Sequence, residues 1–261
     1  MKLATWNVNG MKARLEFMRL WLADRSPDVV GLQELKLTDE SFPHEFFAEL
    51  GYQALTHGQK SWNGVAVLSK LPMEVEQVGL PGQSGFGSRL ITARIDDGSA
   101  DGLQFTTVYC PNGKTLAHDD YPAKLAWFDS LAEHLEGNLA GASLLCGDFN
   151  IVREPLDSWL GADGDGRIFH TEAERSRMER IVGLGLTDLY RELHPEEQTF
   201  SWWDYRGGAF HRKQGLRIDL VLGTASVVER LAEAGTDRDY RKKQDGLTAS
   251  DHAPVIVELS G

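Results

Sequence analysis

Six segments of this chain carry an amide, carboxylate, phenol or imidazole at or near one end of an apolar, strand-like run. Asn7 and Asn9 follow LATW, Glu34 follows DVVGLQ, Tyr109 and Asn112 follow QFTTV, and Asp148 and Asn150 follow SLLCG. Asp219 lies inside LRIDLVL, and Asp251 and His252 precede APVIVEL. Taken singly, an Asn or Asp after a strand is an ordinary turn residue. A carboxylate that closes or interrupts an apolar run is harder to dismiss, because a buried charge needs a partner; that argument applies to Glu34, Asp148 and Asp219. A lone histidine is more often a satisfied core or surface residue than a catalyst, but His252 has Asp251 beside it and Asp219 available to orient its ring. If the strands end at one sheet edge, all of these groups meet in one cleft.

The set selects among chemistries. The chain holds no Cys/His cluster for zinc, no serine in a G-x-S-x-G turn, no P-loop and no G-x-G-x-x-G cradle. Oxygen donors dominate. Glu34, Asp251 and Asn7 or Asn9 suit a hard cation, Mg2+ or Mn2+, which keeps several waters and takes phosphate oxygens as further ligands. Such an ion polarises a phosphoryl oxygen while an activated water attacks in line, and Tyr109, Asn150 and His252 are donors for the charge that builds on the phosphate. Phosphate-ester hydrolysis is the expected reaction.

Those residues need a scaffold. At 261 residues with 41% hydrophobic content, the chain can build one substantial core, and a single soluble domain spanning 1–261 is expected. LATWNV reads as a strand, followed by a helix with Met11, Leu15, Met18 and Leu22 on one face. PDVVGLQE, GVAVLS, RLITARI, LQFTTVYC, SLLCG, RIDLVL and APVIVEL are further strands. Helices are expected from about Pro122, with Leu125, Phe128, Leu131 and Leu135 inward, over 172–182, and near 226–234. The mixture indicates an α/β or α+β domain with much antiparallel sheet. Cys110 and Cys146 sit in apolar runs and read as buried thiols, which fits a reducing compartment. Met1 leads directly into KLATWNV without the regions of a signal peptide, and no run reaches membrane-span length, so a cytoplasmic protein is expected.

The net charge of −12 argues against a protein that coats nucleic acid non-specifically. Positive charge is nevertheless local: Arg206, His211, Arg212, Lys213 and Arg217 form one cluster, and Arg238, Arg241, Lys242 and Lys243 another.

At this point a family resemblance emerges. TWNVNG, LQELK, HGQKSWNGVAVLSK, YCPNG, GDFNI, FSWWDYR, QGLRIDLVL and SDHAPV, in this order from residue 3 to about 258, resemble the signature segments of the exodeoxyribonuclease III type of apurinic/apyrimidinic (AP) endonuclease, within the endonuclease/exonuclease/phosphatase superfamily. GDFN and SDH alone indicate the superfamily; YCPNG, FSWWDYR and GLRID together point to its DNA-repair branch. The resemblance implies a four-layer α/β sandwich, with two packed mixed β-sheets flanked by helices. It implies Glu34 as principal metal ligand with Asn7, Asn9 and Asp251 around the ion, and Asp148 and Asn150 orienting the water. His252 would contact the phosphate with Asp219 holding its ring, and Tyr109 would assist the phosphate or leaving oxygen. Whether Asp148 or His252 takes the proton stays open. Trp202 and Leu216 match walls of the pocket for a flipped-out abasic sugar. Arg206, Arg212, Lys213 and Arg217 would track the backbone of double-stranded DNA carrying an abasic site or a recessed 3′ end, with Arg89, Lys36 and Lys114 as further phosphate contacts. A monomer is the default.

Two departures from the family pattern stand out. Leu35 replaces a frequent Thr in LQELK. The expected function is a Mg2+-dependent DNA-repair nuclease, a 3′-5′ exodeoxyribonuclease and/or AP endonuclease cutting 5′ of abasic sites to leave a 3′-OH; the segment GRIFHTEAERSRMERI, which places bulky Phe169 and His170 beside the expected pocket, raises the alternative of mainly 3′ exonuclease and 3′ phosphatase activity with weak AP endonuclease activity. Two other readings compete: a phosphatase or phosphodiesterase for a small or lipid phosphate, which would lack the DNA surface, and a non-enzymatic binding module, which should have lost some of the polar set.

Overall fold

Hydrophobic periodicity and strand pairing account for most of the architecture. The computed structural model describes residues 1–260. The first half runs β1 (Lys2–Asn7), α1 (Met11–Arg25), β2 (Val29–Gln33), α2 (His44–Glu49), β3 (Gln53–His57), β4 (Val65–Ser69), β5 (Met73–Val78), β6 (Leu90–Ile95) and β7 (Leu103–Tyr109). The second half runs α3 (Asp120–Glu136), β8 (Ser143–Asp148), α4 (Glu172–Val182), β9 (Thr187–Asp188), α5 (Leu189–Leu193), β10 (Asp219–Gly223), α6 (Ala225–Val228), β11 (Leu231–Thr236) and β12 (Val255–Leu259).

Two six-stranded mixed sheets result, in the orders β11-β12-β1-β2-β4-β3 and β5-β6-β7-β8-β10-β9. Each sheet contains one parallel pair near its centre, β1 with β2 and β7 with β8. Those strands are buried on both faces and read as continuous apolar runs, as a doubly covered sheet demands. Leu3, Val29, Val67, Phe105, Leu144, Cys146 and Val257 fill the space between the sheets. Trp6, Phe17, Trp21, Val30 and Leu68 pack α1 onto the outer face of one sheet; Trp127, Phe128, Leu131, Leu145 and Met178 pack α3 and α4 onto the other. This is the four-layer α/β sandwich. Both cysteines are free and buried, and no helix among the described residues is long and apolar enough to cross a membrane.

Several elements depart from the sequence reading. The helix expected near 226–234 stops at Val228, and Leu231–Thr236 forms the edge strand β11 against β12, with a bulge between Leu231 and Glu233. Ladder hydrogen bonds override the helix propensity of Leu, Ala and Glu there. β3 and β5 carry no clean alternation and are edge strands, a position with weak sequence signal. Asp219 opens β10 rather than interrupting a strand. The amides of Arg217 and Ile218 before it bond to Asp157 O and Ser201 Oγ instead of to a ladder. In α3 the inward face is Lys124, Trp127, Phe128, Leu131 and Leu135, with Leu125 only half-buried.

Candidate active site

Strand direction brings the polar ends together. β1 and β2 are parallel with Asn7 opposite Gln33, so Asn7 and Glu34 leave the same end of their sheet. In the facing sheet Tyr109 pairs with Asp148 in parallel register, and Asp148 pairs with Asp219 across the antiparallel β8–β10 ladder. The turn before β12 delivers Asp251 and His252 to the same place, where Trp6 Nε1 donates to the carbonyl of His252 (3.1 Å).

Local backbone geometry aims these groups. Glu34 and Asn150 hold left-handed conformations, φ 55° and 50°. Such a backbone is uncommon for a glutamate and is retained only where the surroundings over-determine it. Gly147, one residue before Asp148, cannot carry a side chain: a Cβ there would lie 1.9 Å from the carbonyl oxygen of Val108. The strand therefore presses against its neighbour immediately before the functional residue.

The side chains form one connected network. Asn7 Nδ2 donates to both Glu34 Oε1 (2.8 Å) and Asp148 Oδ2 (2.9 Å). Its Oδ1 accepts from the amide of Asn9 (3.0 Å), which fixes the orientation of the side-chain amide. Asn7 thus holds two carboxylates together. Asp148 Oδ1 accepts from the amide of Asn150 (2.9 Å), and Asn150 Nδ2 donates to the carbonyl of Cys110 (3.0 Å). His252 Nδ1 lies 2.8 Å from Asp219 Oδ2, so Nδ1 carries a proton toward an acceptor-only carboxylate and Nε2 faces Asp148 Oδ2 at 3.8 Å.

Glu34 Oε2 pairs with Lys36 Nζ (2.9 Å), which also donates to Asn9 Oδ1 (2.6 Å). Asp251 accepts from Asn9 Nδ2 (2.8 Å) and Trp202 Nε1 (3.0 Å), so both of its oxygens are engaged behind the Glu34 group.

The electrostatics follow from this geometry. Burial, with the charges of Asp219 and Glu34 added, pushes the Asp148 carboxyl up to about 7 against the opposing pull of His252 and Asn7. Burial alone would lower His252, but the charge and hydrogen bond of Asp219, with Asp148 and Asp251 behind them, push it up to about 10. Burial and the charges of Glu34 and Asp148 hold the Tyr109 phenol well above its ordinary value. Asp251 sits below the usual carboxylate range, because His252, Asn9 and Trp202 outweigh its burial.

Four carboxylates, Glu34, Asp148, Asp219 and Asp251, thus share a small volume with Lys36 and His252. Ligand atoms of Glu34, Asp148 and His252 lie within 4.8 Å of one another. An oxygen-rich, under-neutralised set of this kind fits a hard divalent cation.

Beside the cluster, Trp202 forms isolated bridges with both Leu216 and His252. Val152, Leu216 and Ile218 form an apolar cluster against which Trp202 and Phe169 pack. Phe169 is in a left-handed conformation, φ 72°. Trp202, Leu216 and Phe169 therefore share one apolar cluster.

Other anticipated contacts are placed differently. His170 is buried, its ring bonded to Ser158 Oγ and the Ile168 carbonyl (both 2.9 Å), so it braces its loop and cannot obstruct a pocket. Arg217 is 2% exposed and bonds to Asp157 and Asp188, so it cannot reach a DNA backbone. Arg89 is tied to the carbonyls of Phe86 and Tyr109 with its guanidinium over the Tyr109 ring, which makes it a brace for Tyr109. Lys36 serves Glu34, and Lys114 pairs with Asp120. Arg206, Arg212 and Lys213 are exposed.

Sequence reading missed Lys124. Fully buried, it bonds to Glu174 Oε1 (2.6 Å) and the carbonyl of Asn150 (2.7 Å), and its ammonium lies 4.8 Å from the Phe169 ring. The available signal was a lysine on the inward face of an apolar helix.

Residues 4–252 match the model of the endonuclease/exonuclease/phosphatase family. Exodeoxyribonuclease III of Haemophilus influenzae is 34% identical, covering 99% of this chain and 100% of that one. The structure of the 3′-5′ exonuclease NExo from Neisseria meningitidis superposes with a TM-score of 0.93 at 35% identity, covering 100% of both chains. An AP endonuclease from Archaeoglobus fulgidus gives 0.92 at 31% identity, covering 99% of both. With a family match over nearly its whole length and a full-length relative above 30% identity, this chain belongs to the endonuclease/exonuclease/phosphatase family.

Proposed function

We propose that this protein is a divalent-cation-dependent DNA-repair nuclease, working with Mg2+ or Mn2+, that hydrolyses DNA phosphodiesters at recessed 3′ ends and 5′ of abasic sites to leave a 3′-OH. The observation that carries this reading is the junction of Asn7, Glu34, Asp148 and the Asp219–His252 pair at the shared end of two sheets, beside the Trp202–Leu216 wall. Relatives support the substrate: one is an exodeoxyribonuclease III, and a structure of the 3′ phosphatase NExo holds a product DNA hairpin.

Glu34 would hold the cation, which when bound would supply Lewis-acid polarisation of a phosphoryl oxygen. Asp148, anchored by Asn7 and the Asn150 amide, is the acceptor for the proton of the attacking water. His252 is kept as imidazolium by Asp219, which supports a role in stabilising charge on the phosphate rather than in removing a proton. Water attacks phosphorus in line, the P–O3′ bond breaks, and Tyr109, with its phenol held protonated, is available to donate to the departing oxygen.

Phe169 favours a second reading, in which 3′ exonuclease and 3′ phosphatase activities dominate over AP incision. Its ring fills part of the apolar wall that an abasic sugar would use. A side-by-side gel assay with Mg2+ tests both readings, using a duplex with an internal abasic analogue and an undamaged duplex with a recessed 3′ end. Stepwise 3′ loss with slow incision is expected. Phe169→Gly, which the positive φ accommodates without strain, should raise abasic incision roughly tenfold. Unchanged incision in that variant would sink the steric argument, and inertness of the native protein toward both duplexes would sink the nuclease itself.

A further inference from the structure

One buried cation has no part in the chemistry above, yet its hydrogen bonds end on the loops that carry that chemistry. Lys124 on α3 pairs with Glu174 on α4 at 2.6 Å, and both side chains are fully buried. A buried ion pair is often no more stable than an apolar pair of similar volume, so stability alone is a poor account of these two charges. Burial pulls the Lys124 ammonium below its ordinary range, against the opposing pull of Glu174.

What the ammonium holds is backbone. It donates to the carbonyl of Asn150 at 2.7 Å and reaches that of Asn112 at 3.4 Å. Its three protons are thus divided between Glu174 and two carbonyls, one from the loop after β8 and one from the loop after β7. Glu174 anchors the other end, because its Oε2 accepts from the amide and the hydroxyl of Thr171 (3.1 and 2.9 Å), the N-cap of α4.

The two loops meet at the candidate catalytic side chains. Asn112 Nδ2 donates to Asn150 Oδ1 (3.3 Å), Asn150 Nδ2 to the Cys110 carbonyl (3.0 Å), and the Asn150 amide to Asp148 Oδ1 (2.9 Å). Asn150 is left-handed, φ 50°, a conformation that its surroundings must hold. With its amide tied to Asp148 and its carbonyl tied to Lys124, the turn at Asn150 is gripped from both sides.

We propose that Lys124 is a positioning residue for the hydrolysis: by holding the carbonyls of Asn150 and Asn112, it keeps the Asn150 turn in the conformation that orients Asp148 toward the attacking water. The proposal rests on the nuclease reading and adds to it a residue too deeply buried to touch DNA.

The test compares native protein, Lys124→Met, and Lys124→Met combined with Glu174→Gln, on a duplex with a recessed 3′ end and Mg2+. Lys124→Met leaves the Glu174 charge without its partner and should lower the urea midpoint. Adding Glu174→Gln removes that charge and keeps an oxygen for the Thr171 amide, so the midpoint should return close to the native value. In both variants kcat per folded molecule should fall roughly a hundredfold, the effect of displacing a catalytic group by about 1 Å, with KM and duplex affinity in EDTA unchanged. Recovery of kcat together with the midpoint in the double variant would make Lys124 a purely structural residue and overturn the proposal. A change confined to KM, or native kcat in both variants, would overturn it as well. Inertness of the native protein toward the duplex would instead bring down the nuclease reading, and the proposal with it.

Discussion

Two buried clusters of charge, both rich in aspartates, have opposite designs. In one, Arg217 bonds to Asp157 (2.7 and 3.0 Å) and Asp188 (3.1 and 2.8 Å), with Arg191 and Arg153 closing the periphery. There every carboxylate meets a guanidinium, and Asp188 is held below its ordinary range by Arg217 and Arg153 despite its burial. In the other, the ion-pair partners of Glu34, Asp148 and Asp219 among the described residues are Lys36 and His252 alone, Asp148 is pushed up, and Asp219 Oδ1 is buried without a partner among the described residues. Neutralisation marks a strut. An electrostatic deficit of this kind is one that an external cation would offset.

Substitutions can break that contrast. Glu34→Gln keeps the shape and removes the charge that would hold the cation. Cleavage of a recessed 3′ end should fall on the order of 10³-fold while the urea midpoint of the metal-free protein holds or rises, and EDTA should reproduce the loss in the native enzyme. A large fall in midpoint would make Glu34 a strut after all. Arg217→Met should do the reverse. Removing one partner of a buried pair strands Asp157 and Asp188 and costs about 3–5 kcal/mol in equilibrium unfolding, with activity per folded molecule near native; selective loss of DNA affinity instead would restore Arg217 to the binding surface.

The clusters also differ in pH response. Asp188, depressed in the folded state, contributes stability that is fully present above the unfolded-state value of about 3.9 and is lost as pH falls through the lower folded value. Acid titration of the unfolding free energy below about pH 4 should therefore be steeper in the native protein than in Arg217→Met, and equal slopes would refute the pairing. The smallest effect belongs to the surface. Arg206, with its side chain 89% exposed and bonded only to Asp204, should on truncation leave the unfolding midpoint in place. DNA affinity should then lose about one unit of slope against log salt; an unchanged slope would remove Arg206 from the DNA-contacting surface.

Legibility followed the local physics. Central strands such as Val29–Gln33 and Ser143–Asp148 are apolar on both faces and could be read directly, and so could the carboxylates that close them. β11 was obscured because its residues favour a helix until β12 supplies a ladder. Arg217 and Lys124 illustrate the opposite error: a cation in a polar context reads as solvated, and only packing shows that it is buried. Likewise, His170 and Phe169 are adjacent and equally bulky, yet only Phe169 joins the Trp202–Leu216 wall, because the left-handed turn at Phe169 sends the two side chains to different places.

Amino-acid order alone determined which polar residue types close the strands, the strands that carry most of them and the oxygen-rich character of the set, because residue type and hydrophobic period are local properties. Tertiary structure decided which carboxylates the Asn7 side-chain amide bridges, which arginines are struts, and that a groove lined by Trp62 opens beside Tyr109. Those outcomes depend on contacts between residues distant in the chain, where burial and hydrogen bonding, not composition, set the charge and orientation of each group.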